Sequence, residues 1–267
     1  MDKPYVDRYA WHDRYGVRQV AGVATPALMV YADEVEHNIA CTLSALGGDA
    51  NRWRPHVKTA KLAWTMRAMA HHGVTAVKCA TTLELSVALQ AGVRDAVLAY
   101  PLVGPAAQRV RQLADEFPAV HISVLAENPE QAAQWQGTPV GVFLDLNPGM
   151  DRTGLEQRRH SDILAFARAL QSRGIGFRGL HYYDGHLGSL ALPERRAAAH
   201  RGYDELLAIA GELKRAGIAV GEIITAGTPA FPCSAEYSGF SANGFLHRVS
   251  PGTVIYCDAT SLAQLPG

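Results

Sequence analysis

The run Arg54-Pro55-His56-Val57-Lys58-Thr59-Ala60-Lys61 carries the side chain with the most consequential chemistry in this sequence. A partly desolvated lysine loses some of its preference for the ammonium form and becomes an amine nucleophile toward an aldehyde. Lys58 follows Asn51-Arg52-Trp53, a short run fit to enter a strand. It precedes a helical pattern in which Leu62, Met66, Met69 and Ala70 recur at spacings of three and four. The lysine is therefore expected where a strand ends and a helix begins. A lone lysine in a loop is ordinarily a solvated charge, so Lys58 gains weight only from the stretches that accompany it.

Three such stretches follow. Thr225-Ala226-Gly227-Thr228 is a small, glycine-containing turn whose backbone N–H groups can face a phosphate. Thr228 can add a hydroxyl, and Pro229 fixes the turn as at a first helical position. An ordinary tight turn explains the same residues equally well. The loop from Asp145 to Gly154 contains Arg152, always charged and rich in donors, which can face a ring nitrogen or an anion. The competing reading is a surface arginine paired with Asp151 or Glu156, which contributes little. His181-Tyr182-Tyr183-Asp184-Gly185-His186 brings two histidines and an aspartate together and invites a metal. Strand alternation argues against it, because His181 faces away from both Tyr182 and Asp184. Tyr183 is favoured at the rim as a phosphate or ring contact, with His186 in the loop beyond. His71-His72, before Gly73, reads as charge partners of a helix C-terminus. Gly174-Ile175-Gly176-Phe177-Arg178-Gly179 matches GxGxxG but follows a helix and enters a strand, the reverse of a dinucleotide fingerprint. The sequence contains no GxxxxGK[ST], HExxH or GxSxG.

The elements that must position these residues alternate along the chain. Strands are expected at residues 25–31, 51–57, 76–80, 95–100, 121–125, 140–146, 179–183 and 221–225, with a last one at 254–256. Helices fill most of the intervals, the longest from Leu192 to Ala216. This rhythm implies a parallel sheet. Its count favours a closed (β/α)8 TIM-type barrel over an open doubly wound sheet. In such a barrel chemistry sits at the C-terminal ends of the strands. Those ends carry Lys58, Thr81, Tyr100, the 147–154 loop, Tyr183 and the Thr225–Thr228 turn.

Composition bounds the rest. The chain has 267 residues, 48% hydrophobic and 19% charged, an ordinary globular balance. Lysine plus arginine equals aspartate plus glutamate at 25 each, so nothing points to nucleic acid or an anionic membrane. Met1 to Gly22 is polar and has no apolar core of a signal peptide. No apolar run approaches the ~20 residues that span a bilayer. Cys41, Cys79, Cys233 and Cys257 are scattered without CxxC spacing, which reads as reduced thiols in a cytoplasmic protein.

Taken together, Pro55-His56-Val57-Lys58-Thr59, the Asp145–Gly154 loop with Arg152, Gly179-Leu180-His181-Tyr182-Tyr183, Ala226-Gly227-Thr228-Pro229 and Ser250-Pro251-Gly252-Thr253 resemble a known group. They resemble the alanine-racemase-like barrel enzymes that use pyridoxal 5'-phosphate, and within them the D-threonine aldolase and D-serine dehydratase branch. The resemblance implies a barrel of the alanine racemase N-terminal domain type over residues 25–258. An extension over 1–24 would precede it, and 259–267 would begin a C-terminal β domain. It implies that Lys58 is the Schiff-base lysine with His56 beside the cofactor, and that Arg152 lies near the pyridine nitrogen. Tyr183, Ala226, Gly227 and Thr228 would hold the phosphate. The implied activity is a lyase on a small D-configured β-hydroxy amino acid, with a racemase or a non-catalytic cofactor carrier as alternatives. A homodimer is among the assemblies it admits. The branch also implies a divalent metal, Mn²⁺ or Zn²⁺, bound through a His-x-Cys or His-x-Asp motif in a domain after the barrel. No such motif follows Cys257-Asp258, so the metal ligands are expected outside these residues. Little aldolase or dehydratase turnover is expected from this chain alone.

Overall fold

Short apolar runs bounded by glycine become parallel strands in the computed structural model, which describes residues 16–241 and 244–265. Most of the expected extension over residues 1–24 lies outside the described residues. In chain order the strands are β1 (Ala76–Cys79), β2 (Asp95–Pro101), β3 (His121–Ala126), β4 (Gly141–Asn147), the two-residue β5 (Leu155–Glu156), β6 (Phe177–Tyr182), β7 (Glu222–Thr225) and β8 (Leu246–Val249). They hydrogen-bond in the order β1-β2-β3-β4-β6-β7-β8, with β5 beside β4, and every pair is parallel.

Residues 53–57 close the ring. Trp53 bridges Val249 of β8 and His56 bridges Lys78 of β1. Arg54 N–H donates to Val249 O at 2.9 Å, and Val57 N–H donates to Lys78 O at 2.8 Å. The α/β class and the TIM-type barrel expected from the alternation are therefore what the chain forms. Closure pairs β8 and β1, the two ends of the strand order, through residues 53–57, which removes the hazard of unpaired strands there.

The outer layer runs α1 (Ala32–Ala45), α2 (Ala63–His71), α3 (Thr82–Gln90), α4 (Gly104–Glu116), α5 (Pro129–Ala133), α6 (His160–Ser172), α7 (Leu192–Arg215), α8 (Phe231–Ala235) and α9 (Ala259–Gln264). Thr81 caps α3, its hydroxyl accepting the Glu84 N–H at 3.1 Å. The apolar faces of these helices and the outward strand residues form one continuous core.

Two expected strands are corrected. Residues 25–31 pair with nothing as a strand, and Leu28 and Met29 are 85% and 44% exposed. The physical reason is closure, since residues 53–57 already occupy the place between β8 and β1. Residues 254–256 form no strand but the end of a 3₁₀ turn (Thr253–Ile255) and its C-cap Tyr256, and the last strand is β8 instead. Its His247 and Arg248 hid it, because polar residues in a four-residue strand erase the apolar signal.

Inside the barrel the inward residues stack in layers. Arg54, Asp95, Glu222 and Arg248 form the bottom. Val97, Ala99, Leu125, Phe143 and Ile224 form an apolar plug above it. Lys78, Asp145 and His181 are the buried polar layer toward the C-terminal ends of the strands.

Candidate functional site

Period-two alternation sets the site. Along the closing segment Arg54, His56 and Lys58 share one phase, so one stretch of backbone supplies a bottom ion pair, a half-buried imidazole and an amine at the cleft. Lys58 lines that cleft with His56, Lys78, Tyr183, Gly227 and Thr228. Its amine is pulled below the ordinary lysine range by partial burial and then by the Arg152 guanidinium, while Glu84 acts the other way. The Lys58 backbone N–H donates to His56 Nδ1 at 3.3 Å, which leaves the proton of a neutral ring on Nε2. Burial, then Lys78 and Lys58, hold His56 well below its usual range, so the ring is uncharged at neutral pH.

Tyr183 forms the wall. The Arg152 guanidinium carbon lies 5.0 Å from its ring centroid and the Lys78 Nζ 5.8 Å. Its phenol is pushed up by burial and stays protonated. The ring is wedged between two glycines. A Cβ on Gly185 would lie 2.4 Å from Tyr183 Cζ, and one on Gly227 would lie 2.7 Å from Cε2. Gly227 is therefore required first by the tyrosine ring, a constraint invisible in the turn itself. Ala226, fully buried, adopts a left-handed φ of 54°, an uncommon backbone for a residue with a Cβ.

At the far end of the cleft hydroxyls form a chain. The Thr253 hydroxyl donates to Thr228 Oγ1 at 2.7 Å, and the Thr253 N–H reaches the same atom at 3.3 Å. Thr253 Oγ1 also lies 2.7 Å from Ser261 Oγ of α9. Gly252 packs so tightly on the lysine segment that a Cβ there would sit 2.1 Å from His56 O. This close approach brings the Gly252-Thr253 backbone against the start of the lysine run.

The structure thus brings Lys58, His56, Tyr183, Gly227 and Thr228 to one cleft, with Arg152 stacked behind the tyrosine and Ala226 shaping the turn beneath it. His181, Asp184 and His186 do not converge. His181 points into the barrel, Asp184 receives the Tyr203 hydroxyl at 2.6 Å, and His186 lies beside Gly149. Among the described residues no group of three or more His, Cys, Asp or Glu is placed to hold a metal ion. The residues described here do not fit a Mn²⁺ or Zn²⁺ centre, and no chemistry is assigned to one. All four cysteines are free thiols, and no helix among the described residues is long and apolar enough to cross a membrane.

Sequence reasoning passed over Lys78, and so did not join Asp145 and His181 to it. The signal available was a lysine inside the wholly buried strand Ala76-Val77-Lys78-Cys79, since a lysine is almost never buried without a partner.

The family model described as the alanine racemase N-terminal domain matches residues 30–260. Among curated proteins the chain is 26% identical to D-threonine aldolase of Arthrobacter sp. over 249 residues, covering 90% of this chain and 62% of that protein. It is 25% identical to D-threo-3-hydroxyaspartate dehydratase of Delftia sp. over 239 residues, covering 88% of this chain and 61% of that one. Among solved structures, D-threonine aldolase from Filomicrobium marinum superposes with a TM-score of 0.80 at 24% identity, over 91% of this chain and 65% of that one. The chain spans a little under two thirds of the length of these relatives. The match runs from before α1 into α9 and takes in the closing segment, the Arg152 loop and the Ala226–Thr228 turn, so the whole barrel is included. The chain belongs to the alanine racemase N-terminal domain family.

Proposed function

We propose that this chain is the cofactor-binding barrel of a pyridoxal-phosphate-dependent lyase acting on small D-configured β-hydroxy amino acids. The observation that carries the reading is Lys58. It is an amine of lowered proton affinity, opening on the same cleft as the Gly227-Thr228 turn. The residues suit the cofactor's three parts. Its aldehyde needs an amine with a free electron pair. Its aromatic ring needs a flat neighbour, which Tyr183 offers. Its phosphate needs small residues and hydrogen-bond donors, which the Ala226–Thr228 turn supplies. The substrate class is supported by two relatives, whose names specify D-threonine and D-threo-3-hydroxyaspartate.

When bound, pyridoxal phosphate supplies an electron-withdrawing ring that weakens bonds at the substrate α-carbon. The chain's own residues do the rest. Lys58 would hold the cofactor through its amine. His56, neutral and protonated on Nε2, offers a donor beside that amine. Tyr183 walls one side of the cleft, and Arg152, stacked on its outer part, keeps positive charge at the entrance. Thr228 and Thr253 arrange hydroxyls and backbone at the anion end, away from the reacting carbon.

The test has two stages. The purified chain is mixed with pyridoxal phosphate, reduced with borohydride and mapped, and the label is expected on Lys58. D-threonine, D-serine and D-threo-3-hydroxyaspartate are then supplied beside their L forms. Any turnover, as glycine with an aldehyde or a keto acid with ammonia, is expected on the D series alone. Loss of optical rotation without new product would replace the lyase by a racemase. Cofactor binding without any turnover would leave a carrier.

The phosphate turn gives a separate expectation. Gly227→Val drives a side chain into Tyr183 and into the anion end together. Affinity for pyridoxal phosphate is expected to fall by more than about tenfold, about 1.4 kcal/mol, while pyridoxal loses much less. Equal losses for both ligands would limit Gly227 to seating the tyrosine.

A further inference from the structure

One group of this cleft has no part in the chemistry above. Lys78 sits in β1 and is 3% exposed. A lysine so deeply buried is ordinarily paired with a carboxylate. Here its Nζ lies 3.2 Å from His181 Nε2. Behind that ring Asp145 Oδ1 lies 2.7 Å from His181 Nδ1, and the Thr153 hydroxyl donates to Asp145 Oδ2 at 2.7 Å. The carboxylate therefore accepts the Nδ1 proton, and the lone pair on Nε2 is left to accept from Lys78. Burial first and Lys78 second keep His181 uncharged, against the pull of Asp145.

The surroundings of Lys78 are positive on balance. The closing segment contributes Lys58 and Arg54, with His56 in bridge register to Lys78 itself. The loop after β4 contributes Arg152. On the negative side stand Asp145 of β4 and Asp184 after β6, the latter committed to Tyr203. Tyr183 offers only its ring face. Burial, then Lys58, bring the Lys78 amine down to about 7, with Asp145 resisting. Two amines thus line one cleft, and the inner one exchanges its proton near neutrality.

We propose that Lys78, backed by His181 and Asp145, is the proton carrier for Lys58 when that residue engages the cofactor aldehyde. The inference rests on the role proposed for Lys58. The Lys58 ammonium gives one proton to the Lys78 amine. The freed pair on the Lys58 nitrogen attacks the aldehyde carbon, a carbon–nitrogen bond forms, and the carbonyl π pair moves to oxygen. Lys78 returns its proton and Lys58 loses a second one to that oxygen, which departs as water. The products are a protonated carbon–nitrogen double bond, one water and the Lys78 amine as it began. A neighbouring amine that takes up a proton at neutral pH removes the need for Lys58 to lose its own to bulk water.

The experiment follows cofactor loading, not turnover. The cofactor-free chain is mixed rapidly with pyridoxal phosphate between pH 6 and 9, and growth of the yellow band is timed. Lys78→Met is expected to load at least about tenfold more slowly at pH 7, with its rate limb displaced to higher pH. Lys78→Arg restores a positive charge but no transferable proton, and is expected to stay slow. Wild-type rates and an unchanged pH profile in both variants would overturn the proposal. Should the substitutions unfold the barrel, NMR titration of ¹⁵Nζ-labelled lysines in the wild-type chain decides the matter. Lys78, assigned by backbone correlation, is expected to titrate near pH 7, and a midpoint in the ordinary lysine range overturns the proposal equally. A borohydride label absent from Lys58 would bring down that role and this one together. A label on Lys58 with normal loading in Lys78→Met would remove Lys78 alone.

Discussion

Lys58→Ala is expected to lose the yellow cofactor band altogether and to lower any turnover by on the order of 10³-fold or more, about 4 kcal/mol of barrier. The size follows from what the side chain is asked to do. No neighbour can replace its electron pair. His56 is an imidazole, Arg152 is a guanidinium, and Lys78 lies deeper in the barrel, 3% exposed. Lys58→Arg separates nucleophile from charge. It keeps a cation at the cleft and is expected to lose the band as completely as the alanine variant, while retaining more affinity for inorganic phosphate. Absorbance, borohydride mapping and turnover are read on the same samples. A Lys58→Ala protein that keeps a full band, with the label on Lys78, would reverse the roles of the two lysines.

How much of this was legible before folding depended on how local each signal was. Lys58 could be placed because the strand–helix hand-off around it is written within a dozen residues. Tyr183 could be placed because alternation along one strand separates it from Tyr182 and sends His181 inward. Residues 25–31 misled for the opposite reason. They have a strand's composition, but whether a strand finds a neighbour depends on whether the ring is already full. Lys78 stayed hidden because its partners are remote. His181 is 103 positions away, and Asp145, which lies between the two in the sequence, is 36 from His181. Arg54 shows the same limit, since its role needs Asp95 at 41 positions and Glu222 at 168. Within the short run before Pro55 nothing marks it as more than an ordinary charged residue at a strand's start.

That arginine gives the second large expectation, a loss of about 3–5 kcal/mol of folding stability in Arg54→Ala. The guanidinium is fully buried and its donors are all engaged. Nε and Nη2 donate to Glu222 at 2.7 and 2.8 Å, Nη1 and Nη2 to Asp95 at 3.1 and 2.8 Å, and Nη1 also reaches Val77 O at 3.3 Å. Removing it strands the buried Glu222 and the largely buried Asp95, with Arg178 at 3.0 Å from Asp95 and Arg248 at 2.7 Å from Glu222 as partial substitutes. The cost lies in the stranded charges more than in the lost attraction. The acid limb reports the same cluster. Burial alone would push the Asp95 carboxyl up, but Arg54, Arg178 and Arg248 overcome it and hold it below the usual range. A depressed carboxylate contributes its full stability above the unfolded-state value, near pH 4, and loses it as pH falls through the folded value. The gap between wild type and Asp95→Asn in urea unfolding is therefore expected to be widest at pH 7 and to narrow below pH 4. Arg54 shares its strand face with His56 and Lys58, so the variant that loosens this bottom layer should also load cofactor poorly at temperatures where it remains folded. An Arg54→Ala protein within about 1 kcal/mol of wild type would mean that Arg178 and Arg248 neutralise the layer unaided, and that closure of the barrel rests on backbone pairing alone.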